Sequence, residues 1–136
     1  MIIGYTQGTY DMFHIGHLNL IKNAKKNCDF LIVGVNSDDL VLSYKNKKTI
    51  VPIKERVAII EELKSVDKVV VCNTLDKTAI IKELNINKIF IGDDWKGNPR
   101  WVKTKEDMAK IGVEVVFLPH TKGTSSTMLR EKLFDY

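Results

Sequence analysis

The chain has 136 residues, in which 21 basic against 17 acidic side chains leave a formal charge of +4; this is the size of one ordinary domain, expected to span residues 1–136. With 44% hydrophobic and 28% charged residues, the composition excludes disorder, collagen and coiled coil as whole-chain descriptions. No apolar run reaches the roughly 18 residues of a membrane span, and Met1-Ile2-Ile3-Gly4-Tyr5-Thr6 has neither a basic n-region nor a cleavage site, so a cytoplasmic protein with no membrane partner is expected.

Two periods alternate along the chain. Short β-branched runs at Ile2-Thr6, Phe30-Val35, Val69-Cys72, Lys88-Ile91 and Val113-Leu118 are too short for helices and apolar enough for strands buried on both faces. Between and after them, helical spacing predicts helices at Ile15-Asn27, Lys54-Lys64, Lys77-Leu84, Lys103-Ile111 and Ser125-Phe134. Thr104, with Asp107 three residues on, predicts the start of the fourth helix, and Gly112 its end. Strands alternating with helices imply right-handed crossovers and a five-stranded, mostly parallel sheet with helices on both faces, an α/β fold. Ligands then bind beyond the carboxyl ends of the strands, in residues 7–14, 36–53, 73–76, 92–102 and 119–124. Cys28 and Cys72 stand far apart without partners at metal-ligand spacing, and are expected to be reduced structural thiols.

The loop after the first strand carries the chemistry. Gly8 permits a tight turn, and His14 and His17, three apart, present both imidazoles on one face of the first helical turn. The free N–H groups and the dipole of that helix start favour an anion, so the combination predicts a phosphate site. A metal half-site finds no third ligand at a matching spacing, and the glycine fingerprints of Rossmann dinucleotide and Walker-type sites are absent.

Gly8-Thr9-Tyr10-Asp11-Met12-Phe13-His14-Ile15-Gly16-His17 resembles the G-T-F-D-x-x-H-x-G-H signature of the cytidylyltransferase branch of the nucleotidyltransferase superfamily, with Tyr10 in place of Phe. The likeness continues through Lys45-x-Lys47, Arg56, Val66-Asp67, Gly92-Asp93-Asp94-Trp95 and Thr121-Lys122-Gly123-Thr124-Ser125-Ser126-Thr127, in order and over nearly the whole chain. It implies a single Rossmann-like domain that moves the cytidylyl group of CTP, with Mg²⁺, onto a phosphate acceptor, without a covalent intermediate. The Gly-Asp-Asp-Trp element and the small size are most similar to members that use glycerol-3-phosphate and make CDP-glycerol for wall or capsule polymers, and family members are homodimers.

By the same resemblance His14, His17, Lys45 and Lys47 are catalytic. Gly8, Thr9, Tyr10, Asp11, Gly16, Asp93, Asp94, Thr121, Gly123, Thr124, Ser125, Ser126 and Thr127 hold the nucleotide. Arg56, Lys45, Lys64, Asp94 and Trp95 hold the acceptor. Asp11 either bridges to Mg²⁺, orients its loop or caps the helix, and no carboxylate cage for the metal is expected. His120 stands where the family usually has Arg, Lys122 replaces Glu, and Lys64 replaces another Arg.

Three alternatives stay open at this level. Phosphocholine or phosphoethanolamine as acceptor would need an aromatic box, for which Trp95, Trp101 and Tyr44 are available. Adenylyl transfer from ATP keeps the mechanism and changes the base. A nucleotide- or nucleic-acid-binding module without turnover is suggested only by the pI of 9.0; the aromatics are scattered over three loops rather than forming a stacking platform, so no nucleic-acid partner is expected.

Overall fold

The computed structural model describes residues 1–119 together with Leu129 and Lys132. Five strands, β1 (Ile3–Gly8), β2 (Phe30–Asn36), β3 (Lys68–Cys72), β4 (Lys88–Gly92) and β5 (Glu114–Leu118), form a sheet of order β3-β2-β1-β4-β5. Every neighbouring pair is parallel. The helices are α1 (Ile15–Lys26), α2 (Asp38–Lys45), α3 (Ile53–Glu61), α4 (Thr78–Leu84) and α5 (Pro99–Lys110), with a short 3₁₀ turn at Asp93–Trp95.

Side chains alternate across the strands, which produces two cores. On one face Tyr5, Ile32 and Ile89 pack with Leu40 of α2, Ile81 of α4 and Trp101 and Met108 of α5. On the other, Leu31, Val33, Val35 and Phe90 pack with Ile21 and Ala24 of α1 and Ile60 of α3. The β-branched runs of the sequence are therefore strands covered on both sides. The chain runs outward from β1 to β3, then returns to lay β4 on the opposite edge of β1, so the direction of winding switches between β1 and β4. A ligand cleft of a parallel sheet forms at that switch, and the loops after β1 and β4 border it.

Both cysteines are free thiols. Cys72 is buried with its Sγ 3.2 Å from the Tyr5 hydroxyl, and the Cys28 thiol donates to the Ala24 carbonyl.

Two helices differ from the sequence-based expectation. Residues 38–45, expected to be loop, form α2, whose N-cap Ser37 accepts from the Leu40 amide and whose first turn carries Asp38 and Asp39. Cap and acidic first turn supply the start signal that eight residues are too few to show as periodicity. Helix α5 begins at Pro99, not Lys103: Asn98 is its N-cap, Pro99 takes the first turn where no N–H is missed, and the Thr104 hydroxyl instead donates back to the Arg100 carbonyl within the helix. Of the helix expected at 125–134, Leu129 and Lys132 are described, and both are helical.

Candidate active site

At the carboxyl end of the sheet, β1, β2 and β3 are joined by side-chain amides and hydroxyls. The Gln7 amide donates to Asn36 Oδ1 (2.8 Å) and the Thr74 carbonyl (3.1 Å) and accepts from the Tyr5 hydroxyl (2.7 Å). Asn36 Nδ2 donates to the Tyr44 hydroxyl (3.2 Å), which also pairs with the Thr9 hydroxyl (3.1 Å). These bonds fix the floor from which the loop after β1 rises.

That loop turns sharply. Tyr10 and Met12 adopt left-handed backbone, φ 55° and 51°, a conformation costly for side-chain-bearing residues. Tyr10 folds inward, nearly fully buried, with its ring beneath Gly8; a Cβ at Gly8 would lie 3.0 Å from the ring. Gly8 thus makes room for Tyr10, and one expectation is corrected: the Tyr10 side chain belongs to the core rather than to a nucleotide surface.

The loop ends on a capping box built from histidines. His14 is the N-cap of α1, its Nδ1 accepting from the Gly16 amide (3.0 Å), while His17 Nδ1 accepts from the His14 amide (3.3 Å). The two rings stack with centroids 3.9 Å apart. Because each Nδ1 accepts, the hydrogen of each neutral ring resides on Nε2, so both imidazoles are donors at that atom. His14 Nε2 is buried and meets no protein acceptor among the described residues.

Both rings are held neutral. Burial lowers the pKa of His14. Burial lowers that of His17 to about 4, helped by His14 and Lys45 and opposed by Asp11; Tyr10 and Phe13, each with its ring centroid 5.4 Å from His17, supply the apolar walls. His17 protonates more readily unfolded, near 6.5, than folded, near 4, so its contribution to stability is complete above about 6.5 and is lost as pH falls towards 4. Denaturant melts across this window should show that slope, and a His17→Asn variant should flatten it.

Lys45 ends α2, Asn46 takes left-handed backbone (φ 53°), and Lys47 follows; both lysines are exposed. Lys45 helps to lower the His17 pKa, so its charge is felt at that ring. Across the switch point, Gly92 leads into the Asp93–Trp95 turn, and a Cβ at Gly92 would strike Asp94 Oδ1 at 2.7 Å. Asp94 and Trp95 are exposed there. His120, Lys122 and residues 121–127 lie outside the described residues.

Of the three readings open for Asp11, the structure shows the loop-orienting one: it is buried, and its two carboxylate oxygens accept from the Ile50 and Val51 amides at 2.9 Å each, while His14 is the cap of α1. Two further expectations are corrected. Arg56 is 1% exposed and directs four of its five N–H groups to Val51 O, Thr9 O, Asn36 O and Asp38, which leaves it unable to grip an acceptor phosphate. Lys64 precedes β3 and so stands at the amino end of the sheet, away from the histidines.

Lys77, at the start of α4, is a half-buried cation in the loop after β3. Its Nζ donates to the Leu75 carbonyl (3.3 Å) and lies 5.1 Å from the centre of the Trp101 ring. Burial, then the charge of Arg100, lowers its pKa to about 8. The Gln7–Thr74 bond draws the 73–77 loop towards the end of β1. The sequence signal was present, a lysine closely following a strand, but helical periodicity assigned it to α4.

A family model described as cytidylyltransferase-like matches residues 5–132. The chain belongs to the cytidylyltransferase-like family. It is a nucleotidyltransferase, and the stacked histidines stand on the family's signature segment. The chain is 37% identical over 129 residues to glycerol-3-phosphate cytidylyltransferase of Bacillus spizizenii, covering 94% of each chain, and 36% identical to that of Bacillus subtilis over the same shares. Among solved structures it resembles the lipopolysaccharide core biosynthesis protein of Thermoplasma volcanium, at 28% identity and a TM-score of 0.74, covering 91% of this chain and 99% of that one. Among the described residues of this cytidylyltransferase-like chain, no helix is long and apolar enough to cross a membrane.

Proposed function

We propose that this chain transfers the cytidylyl group of CTP to glycerol-3-phosphate, releasing pyrophosphate and CDP-glycerol. The observation that carries the reading is the pair of neutral, stacked imidazoles whose Nε2–H donors stand at the first turn of α1, beside the switch point. Two relatives of that name, similar over 94% of the chain, support the choice of substrates.

The barrier is electrostatic, because two anions meet and charge grows on the leaving group. A phosphate oxygen of glycerol-3-phosphate attacks the α-phosphorus of CTP, the bond to the bridging oxygen of the β-phosphate breaks in line, and no protein nucleophile is needed. His14 and His17 donate from Nε2 to the α-phosphate and the bridging oxygen as charge accumulates. Being neutral, they keep this role over the range in which the substrate phosphates are ionised. Lys45 and Lys47 neutralise the triphosphate from the end of α2. A divalent cation brought with the nucleotide would be held by phosphate oxygens and water; Asp11, already bonded to two amides, does not fit as its ligand.

Lys77 replaces Arg56 and Lys64 as the cation for the acceptor phosphate. With its pKa near 8, kcat/KM for glycerol-3-phosphate is expected to fall as pH rises through about 8, since that ratio reports the free enzyme. Lys77→Met should remove that limb and raise the acceptor KM by about tenfold or more, the worth of a charged hydrogen bond. Choline-type acceptors are less well served, because the Trp101 ring already carries Lys77 and is itself buried.

The test is pyrophosphate release from CTP, ATP, UTP and GTP, each with glycerol-3-phosphate, phosphocholine or phosphoethanolamine and Mg²⁺. Release only with CTP and glycerol-3-phosphate is expected. Release with another pair would reassign the substrate, and CTP binding without release from any pair would favour a module that binds without turnover.

A further inference from the structure

The segment from Asp38 to Ile53 leaves the sheet and returns to it at one place. Asp38, the first residue of α2, accepts from the Thr49 hydroxyl (2.8 Å), the Ile53 amide (3.2 Å) and Arg56 Nη2. Asp11 holds the Ile50 and Val51 amides. Arg56 reaches from α3 into the middle, donating from Nε to Val51 O (2.8 Å) and from Nη1 to both Thr9 O and Asn36 O (2.7 Å each). The ends of β1 and β2 and the returning chain are thus drawn onto one buried guanidinium. At the far end of the same excursion stand Lys45 and Lys47.

We propose that Arg56 is a positioning residue for the transfer: with Asp38 and Asp11 it closes the base of the 38–53 segment and thereby fixes where Lys45 and Lys47 stand relative to the histidine pair. This rests on the reaction read above. The residue type follows from the geometry, because four acceptors surround one side chain and only a planar, five-donor cation meets them all. A lysine has three donors on a single nitrogen. The burial follows as well: a cation this deep persists only when hydrogen-bonded and paired, and here three backbone carbonyls and a carboxylate do both.

The experiment compares wild type, Arg56→Lys and Asp38→Asn by steady-state kinetics, thermal melting and amide hydrogen exchange at Ile50 and Val51. Asp38 is partly exposed, so its variant keeps a folded reference should Arg56→Lys unfold. A positioning role predicts that kcat falls by about 10²-fold in Arg56→Lys and about tenfold in Asp38→Asn, with KM for glycerol-3-phosphate within about threefold of wild type. Exchange at Ile50 and Val51 should quicken by about tenfold or more in both folded variants. A raised acceptor KM with kcat preserved and exchange unchanged would overturn the proposal and return Arg56 to direct phosphate contact. If wild type itself makes no CDP-glycerol, the functional reading falls, while the exchange rates still decide whether this network closes the segment.

Discussion

His14→Asn is expected to lower kcat by about 10²–10³, the cost of one preorganised donor to a transition state, while leaving the melting temperature near that of wild type. The choice of asparagine matters because His14 has two tasks. Its Nδ1 caps α1 through the Gly16 amide, and its buried Nε2 meets no protein acceptor among the described residues. Asparagine is among the best N-cap residues, and its side-chain oxygen can occupy the place of Nδ1, so the helix start survives while the Nε2–H is removed. Alanine would remove both and add about 0.5–2 kcal/mol of destabilisation, mixing a folding defect into the rate. Steady-state pyrophosphate release and a thermal melt on the same preparation make the separation. Turnover near wild type in His14→Asn would take this imidazole out of the chemistry.

Arg56→Met should destabilise the fold by about 3–5 kcal/mol, the range for breaking a buried ion pair by deleting one partner. Methionine keeps much of the volume, so the loss measures hydrogen bonding rather than a cavity. Thr9 O, Asn36 O and Val51 O each lose a charged donor, and Asp38 loses its cation. Each buried acceptor left unmet costs about 1–3 kcal/mol before relaxation, and the partial exposure of Asp38 lets water recover part of its share. Denaturant midpoints give the value directly. A loss below about 1 kcal/mol would mean that water replaces the guanidinium freely, which these burial and bonding patterns contradict.

The strands and their direction were legible in the sequence because a strand covered on both faces must be apolar along its length, and five such runs stand between helical periods. The histidine loop was legible because its residue types and spacing have few other uses. Less visible was anything that depends on which end of a strand a residue meets. Arg56 and Lys64 read equally well as exposed cations, yet one is enclosed by carbonyls from three segments and the other faces the amino edge. No local pattern reports that difference, because the acceptors around Arg56 come from Thr9, Asn36 and Val51. Lys77 was hidden for the converse reason. Its surroundings come from Gln7, which holds its loop, and from Trp101, contributed by β1 and α5. Helix α2 escaped because a single cap and two aspartates, rather than a repeated apolar face, begin it.

The place of β1 in the sheet has a bearing on how the chain is made. It is synthesised first but lies at the centre, paired with β2 on one side and with β4 on the other. At about 5–20 residues per second of synthesis, the 52 residues from Asn36 to Lys88 take about 3–10 s to follow. Through that interval the β1–β2 ribbon carries an open hydrogen-bonding edge, the kind of template on which a neighbouring nascent chain can add a strand. Ribosomes spaced closely on one message would bring such edges together, so translation slowed between β3 and β4 should lower the yield of correctly assembled protein more than an equal pause after β5.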